Sequence, residues 1–267
     1  MGTVSADIHY GTMIDKERAV QTFLNYASNY NMEDPKIRLK VGHTLRVAGL
    51  CKRIASSLDL NTEEKDLAWL IGLLHDIGRF EQVRIYHTFR DAESVDHAQL
   101  SADLLFCSGM IRDYIIPGVE DQIIEVAIRC HNVYRLPETL TEREKTFCQI
   151  LRDADKIDIL RVNRETPMTQ IYNLPTEAFL TSEISDPVYE DMLAHRDVNR
   201  ANSRTGVDFL MGHIAFVYGL VYPISFQIVE EQGYLEQMLA FESRNERTRE
   251  RMERIREEVR GYIQKQI

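Results

Sequence analysis

The chain has 267 residues, of which 44% are hydrophobic and 28% are charged, a composition typical of a folded globular protein. Its net charge of −10 argues against a polyanion such as duplex DNA as the main partner, because phosphate-backbone binding relies on an excess of lysine and arginine. Long nucleic acid is therefore a poor match. A small phosphorylated substrate is not excluded, because bound cations reverse the local sign of the charge.

The cysteines and the apolar segments bear on where the protein works. The four cysteines are scattered, without a CxxC pair, which is typical of reduced thiols rather than of a disulfide framework. The first residues lack the basic and then apolar segments of a signal peptide, and no apolar run reaches the roughly 18 residues of a membrane span. We therefore expect a cytoplasmic protein with no membrane partner. The sequence leaves room for a homo-oligomer.

The apolar periodicity is helical along nearly the whole chain, which predicts an all-α fold. In chain order it predicts helices over about 15–30, 36–58, from Asn61 to Leu74, 94–108, 119–131, 142–163, 187–198, 206–240 and 243–260. Asn61 and Thr141 each precede a glutamate by three residues, the signature of a capping box. The run Leu67–Leu74 is apolar on all sides, which indicates a central helix. The last helix carries one thin apolar seam, which predicts a solvated helix or, alternatively, a partner surface.

Five segments place polar side chains where an apolar stripe would put core residues. These side chains are His43, the pair His75 and Asp76, His97, His131 and Asp155. Any one of them can be a core residue satisfied by a neighbour, but two buried carboxylates together require cations. Imidazoles and carboxylates on facing helices are the ligands with which helical bundles hold divalent metals. Four histidines and two aspartates suit two metal ions that keep open positions for water or substrate.

The order of these residues resembles the H…HD…D pattern of the HD-domain superfamily of metal-dependent phosphohydrolases. The matching positions are His43, His75, Asp76 and Asp155. The segment Gly72–Arg79 is similar to the family's apolar-HD-I-G-K/R motif. The segment Arg152–Asp158 is similar to its closing A-D-K/R motif, which selects Asp155 over the neighbouring aspartates.

Two further segments resemble the members that bind two metals. His97 follows an aspartate in a segment similar to their additional histidine helix, and His131 ends a segment similar to their A-I-x-x-H motif. The resemblance covers about residues 36–163. It implies a compact helical core over that range and a C-terminal helical extension over 164–267, together a single domain 1–267.

The resemblance also implies how the site would work. His43, His75, Asp76 and Asp155 would hold one divalent ion, and Asp76 would bridge to a second ion held by His97 and His131. Iron, manganese, nickel, cobalt, zinc and magnesium are all compatible with these ligands. The implied activity is hydrolysis of a phosphate ester or anhydride of a small, nucleotide-like substrate by a metal-activated water.

Other side chains are candidates for contacts with the substrate. Arg79 and Lys156 lie next to ligand segments and would bind the phosphate, with a surface ion pair as the alternative for each. His87, in a predicted loop between two ligand-bearing helices, is the candidate general acid. Three other functions stay open: a di-iron oxygenase of the same superfamily, a non-catalytic nucleotide or metal sensor, and a helical interaction protein.

Overall fold

The computed structural model describes residues 14–115, 120–172 and 174–267. Over these ranges the chain forms helices and no strand, which confirms the predicted all-α fold. The α-helices are α1 (Lys16–Ala27), α2 (Pro35–Ser56), α3 (Thr62–Leu74), α4 (Gly78–Tyr86), α5 (His97–Ala102), α6 (Asp121–Arg129), α7 (Glu142–Glu165), α8 (Met168–Tyr172), α9 (Thr176–Leu180), α10 (Asp186–Leu193), α11 (Gly206–Ile214), α12 (Pro223–Gln232), α13 (Tyr234–Leu239) and α14 (Glu246–Gln264). None of the helices in the described ranges combines the length and apolarity needed to cross a bilayer.

The chain divides into two compact units, Met1–Cys148 and Gln149–Ile267. The division falls within α7, which begins in the first unit and continues in the second. The N-terminal segment, which lacks the pattern of a signal peptide, lies largely outside the described residues. That the whole chain forms a single domain, with a helical core followed by an extension after residue 163, stays a prediction.

The helix α3 is the central helix of the first unit, as its apolar sequence predicts. It packs against α1, α2 and α6, and its residues Leu70, Leu73 and Leu74 are fully buried. Asn61 caps it through the predicted box, in which the Asn61 side chain accepts from the Glu64 backbone and Glu64 accepts from the Asn61 backbone. The box fixes where the helix begins, and His75 is its C-cap residue at the other end.

Gly78 allows α4 to begin in direct contact with α5. A Cβ atom at this position would lie 2.6 Å from the backbone nitrogen of Ser101. The Gly78 backbone nitrogen also donates a hydrogen bond of 2.9 Å to the Ser101 hydroxyl. The glycine of the His-Asp-Ile-Gly segment thus holds the helix that follows His75 and Asp76 against the helix that carries His97.

An aromatic cluster attaches α4 to α1 and to the turn that follows α1. Phe80 is fully buried, and its ring centre lies 5.8 Å from that of Phe23, 5.8 Å from that of Tyr26 and 5.5 Å from that of Tyr30. The first two ring pairs meet edge to face, a geometry that aromatic rings prefer. The cluster fixes α4 four residues beyond Asp76.

The continuous helix predicted over 206–240 is wrong, because the second unit breaks this segment into α11, a 3₁₀ turn, α12 and α13. Pro223 occupies the first turn of α12, where its missing N–H is not needed. Gly233, with φ of 68°, ends α12 in the left-handed region that favours glycine. The apolar seam of α14, which includes Met252, Ile255 and Val259, is buried. The seam is therefore core and not an exposed partner surface.

His213, on α11, makes the stability of the second unit sensitive to acid. Burial and the positive charge of Arg200 lower the pKa of His213 to about 3. The unfolded chain takes up this proton near pH 6.5, so between pH 6.5 and about 3 the unfolded state binds more protons. The free energy of unfolding should therefore fall as the pH drops through this window, by about 2 kcal/mol between pH 7 and 5 from this group alone.

Urea unfolding of the wild type and of His213→Gln at pH 7, 6 and 5 measures this contribution. We expect the difference in unfolding free energy between the two proteins to change in favour of the variant as the pH falls. A difference that does not depend on pH would show that His213 titrates alike in both states.

Candidate metal centre

The first unit brings together five of the six predicted metal ligands. These are His43 from α2, His75 and Asp76 from the end of α3, His97 from the start of α5, and His131 from just beyond α6. All five are buried, with at most 5% of any residue exposed. Within the described residues, groups drawn from these five offer ligand atoms that all lie within 4.8 Å of one another. The side chains that the sequence placed on separate helices therefore converge.

The carboxylate of Asp76 lies at the centre of these imidazoles, and each of its oxygens faces a different pair. Oδ2 lies 3.6 Å from Nε2 of His43 and 3.5 Å from Nε2 of His75. Oδ1 lies 3.6 Å from Nε2 of His97 and 3.8 Å from Nε2 of His131. The site is thus divided into two halves that share one carboxylate.

Hydrogen bonds at Nδ1 fix the orientation of three of the rings, and that of His97 goes to the carboxylate of Asp91. Nδ1 of His75 donates to the carbonyl oxygen of Gly72 at 2.8 Å, and Nδ1 of His131 donates to that of Ile128 at 2.7 Å. Because a carbonyl can only accept, each of these Nδ1 atoms carries the proton and each Nε2 presents its lone pair to the centre. Such outer contacts are typical of metal-binding histidines.

The donor atoms fit divalent cations. Nε2 of His97 and Nε2 of His131 lie 2.9 Å apart, and in neutral rings that donate from Nδ1 both atoms are lone-pair acceptors. Two acceptors at this distance need a proton or a cation between them. Oδ1 of Asp76 is buried and accepts no hydrogen bond from the described residues. Imidazole nitrogen and carboxylate oxygen together suit iron, manganese, cobalt, nickel and zinc.

Two cationic side chains also reach Asp76. Nζ of Lys40 lies 2.6 Å from Oδ2, and Nε of Arg79 lies 3.7 Å from Oδ1. Burial alone would raise the pKa of Asp76, but the positive charges of Lys40 and Arg79 help to hold it well below its usual value. The central carboxylate is therefore ionised and ready to act as a ligand.

Asp91 is a functional residue that the sequence did not indicate. Its Oδ2 accepts a hydrogen bond of 2.5 Å from Nδ1 of His97. Its Oδ1 accepts from Nη1 of Arg79 and from Nε2 of Gln82, both at 2.9 Å. Burial raises the pKa of Asp91, but the hydrogen bond from His97 and the charge of Arg79 outweigh it and lower the pKa. Asp91 thus aims Nε2 of His97 at the centre in the way that backbone carbonyls aim His75 and His131.

Replacing Asp91 with asparagine should weaken metal binding by about 10- to 100-fold, because loss of an outer contact to a histidine ligand has that typical effect. The asparagine amide cannot accept from Nδ1 of His97 while it also keeps its bonds to Arg79 and Gln82. The metal retained after dialysis against a chelator series measures the effect. Glu93→Gln, in the same exposed turn, is the matched control and should behave as the wild type. Equal retention in both variants would contradict the role given to Asp91.

The other predicted site residues are Asp155, Lys156 and His87. Asp155 is half-buried on the part of α7 that belongs to the second unit. Lys156 follows it and pairs with Asp197, with Nζ 3.0 Å from the carboxylate and 5.6 Å from the ring centre of Phe216. His87 is exposed at the C-cap of α4, where its backbone adopts a left-handed φ of 58°. The roles of these three residues stay predictions.

Asp153 is the neighbouring aspartate that the closing motif did not select as a ligand. It is buried by contacts at the start of α12. Its carboxylate accepts from the backbone nitrogens of Val221 and Tyr222 at 3.0 and 3.1 Å and from the Ser225 hydroxyl at 2.6 Å. These bonds account for its burial without a metal, which supports the choice of Asp155.

A family model described as the HD domain matches residues 41–160. The match covers 120 of the 267 residues of the chain. The six predicted ligands all fall within it, which confirms the resemblance read from the motifs. The HD domain is typical of a superfamily of metal-dependent hydrolases whose members bind divalent metals. Neither a curated protein nor a solved structure matches the chain.

Proposed function

We propose that the protein is a phosphohydrolase that uses two divalent metal ions to cleave a phosphate ester or anhydride of a small, nucleotide-like substrate. The observation that carries the proposal is the position of Asp76, whose two oxygens face two separate pairs of imidazole nitrogens. One carboxylate shared by two nitrogen pairs is a donor arrangement that suits two neighbouring cations.

The residues divide between the two halves of the site. His43 and His75 would hold one ion with Oδ2 of Asp76, and His97 and His131 would hold the other with Oδ1. Asp155 stays the sixth ligand implied by the family pattern. When bound, divalent ions lower the pKa of a water and neutralise charge on a phosphoryl group.

Arg79 would contribute to binding of the phosphate. Its Nη1 is engaged by Gln82, Phe89 and Asp91, which holds the guanidinium in place. Its Nη2 makes no hydrogen bond with the described residues and is left to donate to a phosphate oxygen. A positioned guanidinium supports charge development on the phosphate without reorganisation during the reaction.

Elemental analysis followed by a phosphate-release screen tests the proposal. The purified chain should contain close to two transition-metal ions, and it should release phosphate from at least one class of nucleotide or sugar phosphate when loaded with manganese, iron, cobalt or nickel. Iron-dependent oxygen consumption without phosphate release would instead indicate an oxygenase. Tight nucleotide binding without turnover would indicate a sensor, and a metal-free protein that cannot be loaded would contradict all three.

A further inference from the structure

Two cations lie against one aromatic ring beside the metal centre. Nζ of Lys40 is 5.3 Å from the ring centre of Phe89, and Cζ of Arg79 is 5.6 Å from it. Only 13% of each cationic side chain is exposed. The carbonyl oxygen of Phe89 accepts a hydrogen bond of 2.7 Å from Nη1 of Arg79, so the backbone holds the ring beside the guanidinium. We call Lys40, Arg79 and Phe89 the cation clamp.

The clamp serves both halves of the site. Lys40 lies on the Oδ2 side of Asp76, with His43 and His75, and Arg79 lies on the Oδ1 side. Arg79 has a second anionic partner in Asp91, at 2.9 Å. For Lys40, the described residues provide Asp76 as its one anionic partner.

Because Lys40 has fewer anionic partners than Arg79, a bound anion could balance its charge. If both oxygens of Asp76 serve as metal ligands, an enclosed ammonium no longer has a carboxylate of its own. An enclosed charge is costly without a counter-ion. An anion that enters the site would supply it, and it would meet the three donors of the ammonium and the Nη2 donors of Arg79.

We infer that the cation clamp binds the terminal phosphate group of the substrate and selects a dianionic phosphate over a monoanionic phosphodiester. The inference rests on the proposed function and narrows its substrate class. A terminal phosphate offers three non-bridging oxygens and two negative charges, enough for both cations, whereas a diester offers two oxygens and one charge. Lys40 lies one position before the residues that the family model matches.

Equilibrium binding to the manganese-loaded full chain tests the inference. Calorimetry with inorganic phosphate and with dimethyl phosphate compares a dianion with a diester, and elemental analysis of each sample reports the metal content. We expect phosphate to bind the wild type at least tenfold more tightly than dimethyl phosphate. Lys40→Met should weaken phosphate binding by about 10- to 100-fold at unchanged metal content, the range expected for loss of a charged hydrogen bond.

Two further variants make the result specific. Lys40→Arg keeps the charge and should retain most of the phosphate affinity. Lys36→Met removes an exposed lysine one turn earlier on α2 and should bind phosphate as the wild type does. Thermal unfolding of each variant confirms that it is folded.

Different results would contradict the role of the cation clamp and the proposed hydrolase activity. Three results would each contradict phosphate binding by the cation clamp, even if the wild type hydrolyses phosphate esters. These are wild-type phosphate affinity in Lys40→Met, equal affinity of the wild type for the two ligands, and loss of metal in Lys40→Met. Selective, Lys40-dependent phosphate binding without hydrolysis of any ester would support the clamp and overturn the proposed hydrolase.

Discussion

Asp76→Ala should lose most of its bound metal and its phosphatase activity, the latter by at least about 1000-fold. The carboxylate is the one ligand whose oxygens face both imidazole pairs, so its removal weakens both halves of the site together. It also leaves Lys40 and Arg79 enclosed without the charge between them. We therefore expect a loss of stability in addition, of about 3–5 kcal/mol, as for other broken buried ion pairs.

Metal content, phosphate release and urea unfolding of the same preparation separate these effects. Asp76→Asn keeps the shape of the side chain and should lose metal and activity with a smaller cost in stability. Asp59→Ala changes an exposed aspartate of the same unit and is the matched control. If Asp76→Ala retained its metal and the activity of the wild type, the two-metal centre described above would be wrong.

Phe80→Ala should destabilise the first unit by about 3–5 kcal/mol, the usual cost of truncating a fully buried phenylalanine. The ring contacts Phe23, Tyr26 and Tyr30, and three side chains that close around one ring cannot collapse into its place without moving α1. Because Phe80 lies four residues after Asp76, we expect weaker metal retention as well. The effect on the metal would be indirect, through the position of α4.

Denaturant unfolding of Phe80→Ala beside Tyr86→Ala measures this cost. Tyr86 is an aromatic residue of the same helix with 42% of its surface exposed, and its replacement should cost no more than about 0.5 kcal/mol. Similar costs for the two variants would show that the aromatic cluster does not hold α4 in place.

Five of the predicted ligands converge in the first unit because helical periodicity encodes which side chains point inward. His43 stands on the buried apolar stripe of α2, and His131 continues the stripe of α6 just beyond its end, so the pattern alone places both in the core. His75 and Asp76 follow the most apolar helix of the chain and stay buried with it. The family motifs then select these residues from among the other histidines and aspartates.

Residues that act from loops could not be predicted in the same way. Asp91 and Phe89 lie between α4 and α5, where there is no period to indicate a direction. Their positions depend on contacts with Arg79, which is close to them in the fold although it lies on the preceding helix. Lys40 lies on α2, but a lysine on a helix is ordinarily solvated, and its contact with Asp76 depends on how α2 packs beside the end of α3.

The unbroken helix expected over 206–240 was wrong for a local reason. Apolar residues recur at helical spacing through the segment, and this recurrence hides the breaks. Pro223 and Gly233 are nonetheless ordinary signals for the beginning and the end of a helix. Giving these two residues more weight than the periodicity would have divided the segment correctly.

The bonds that hold the imidazole rings also bear on how the protein takes up a metal ion. Because His75, His97 and His131 are already oriented by Gly72, Asp91 and Ile128, the ligands lose little side-chain freedom when an ion arrives. A rigid, nitrogen-rich donor set ranks divalent ions by their intrinsic affinities, in the Irving–Williams order. Which ion is recovered with the purified protein should then depend on this order together with the supply of metals in the cell. Cells grown on manganese, iron or zinc should yield the same fold with different ions.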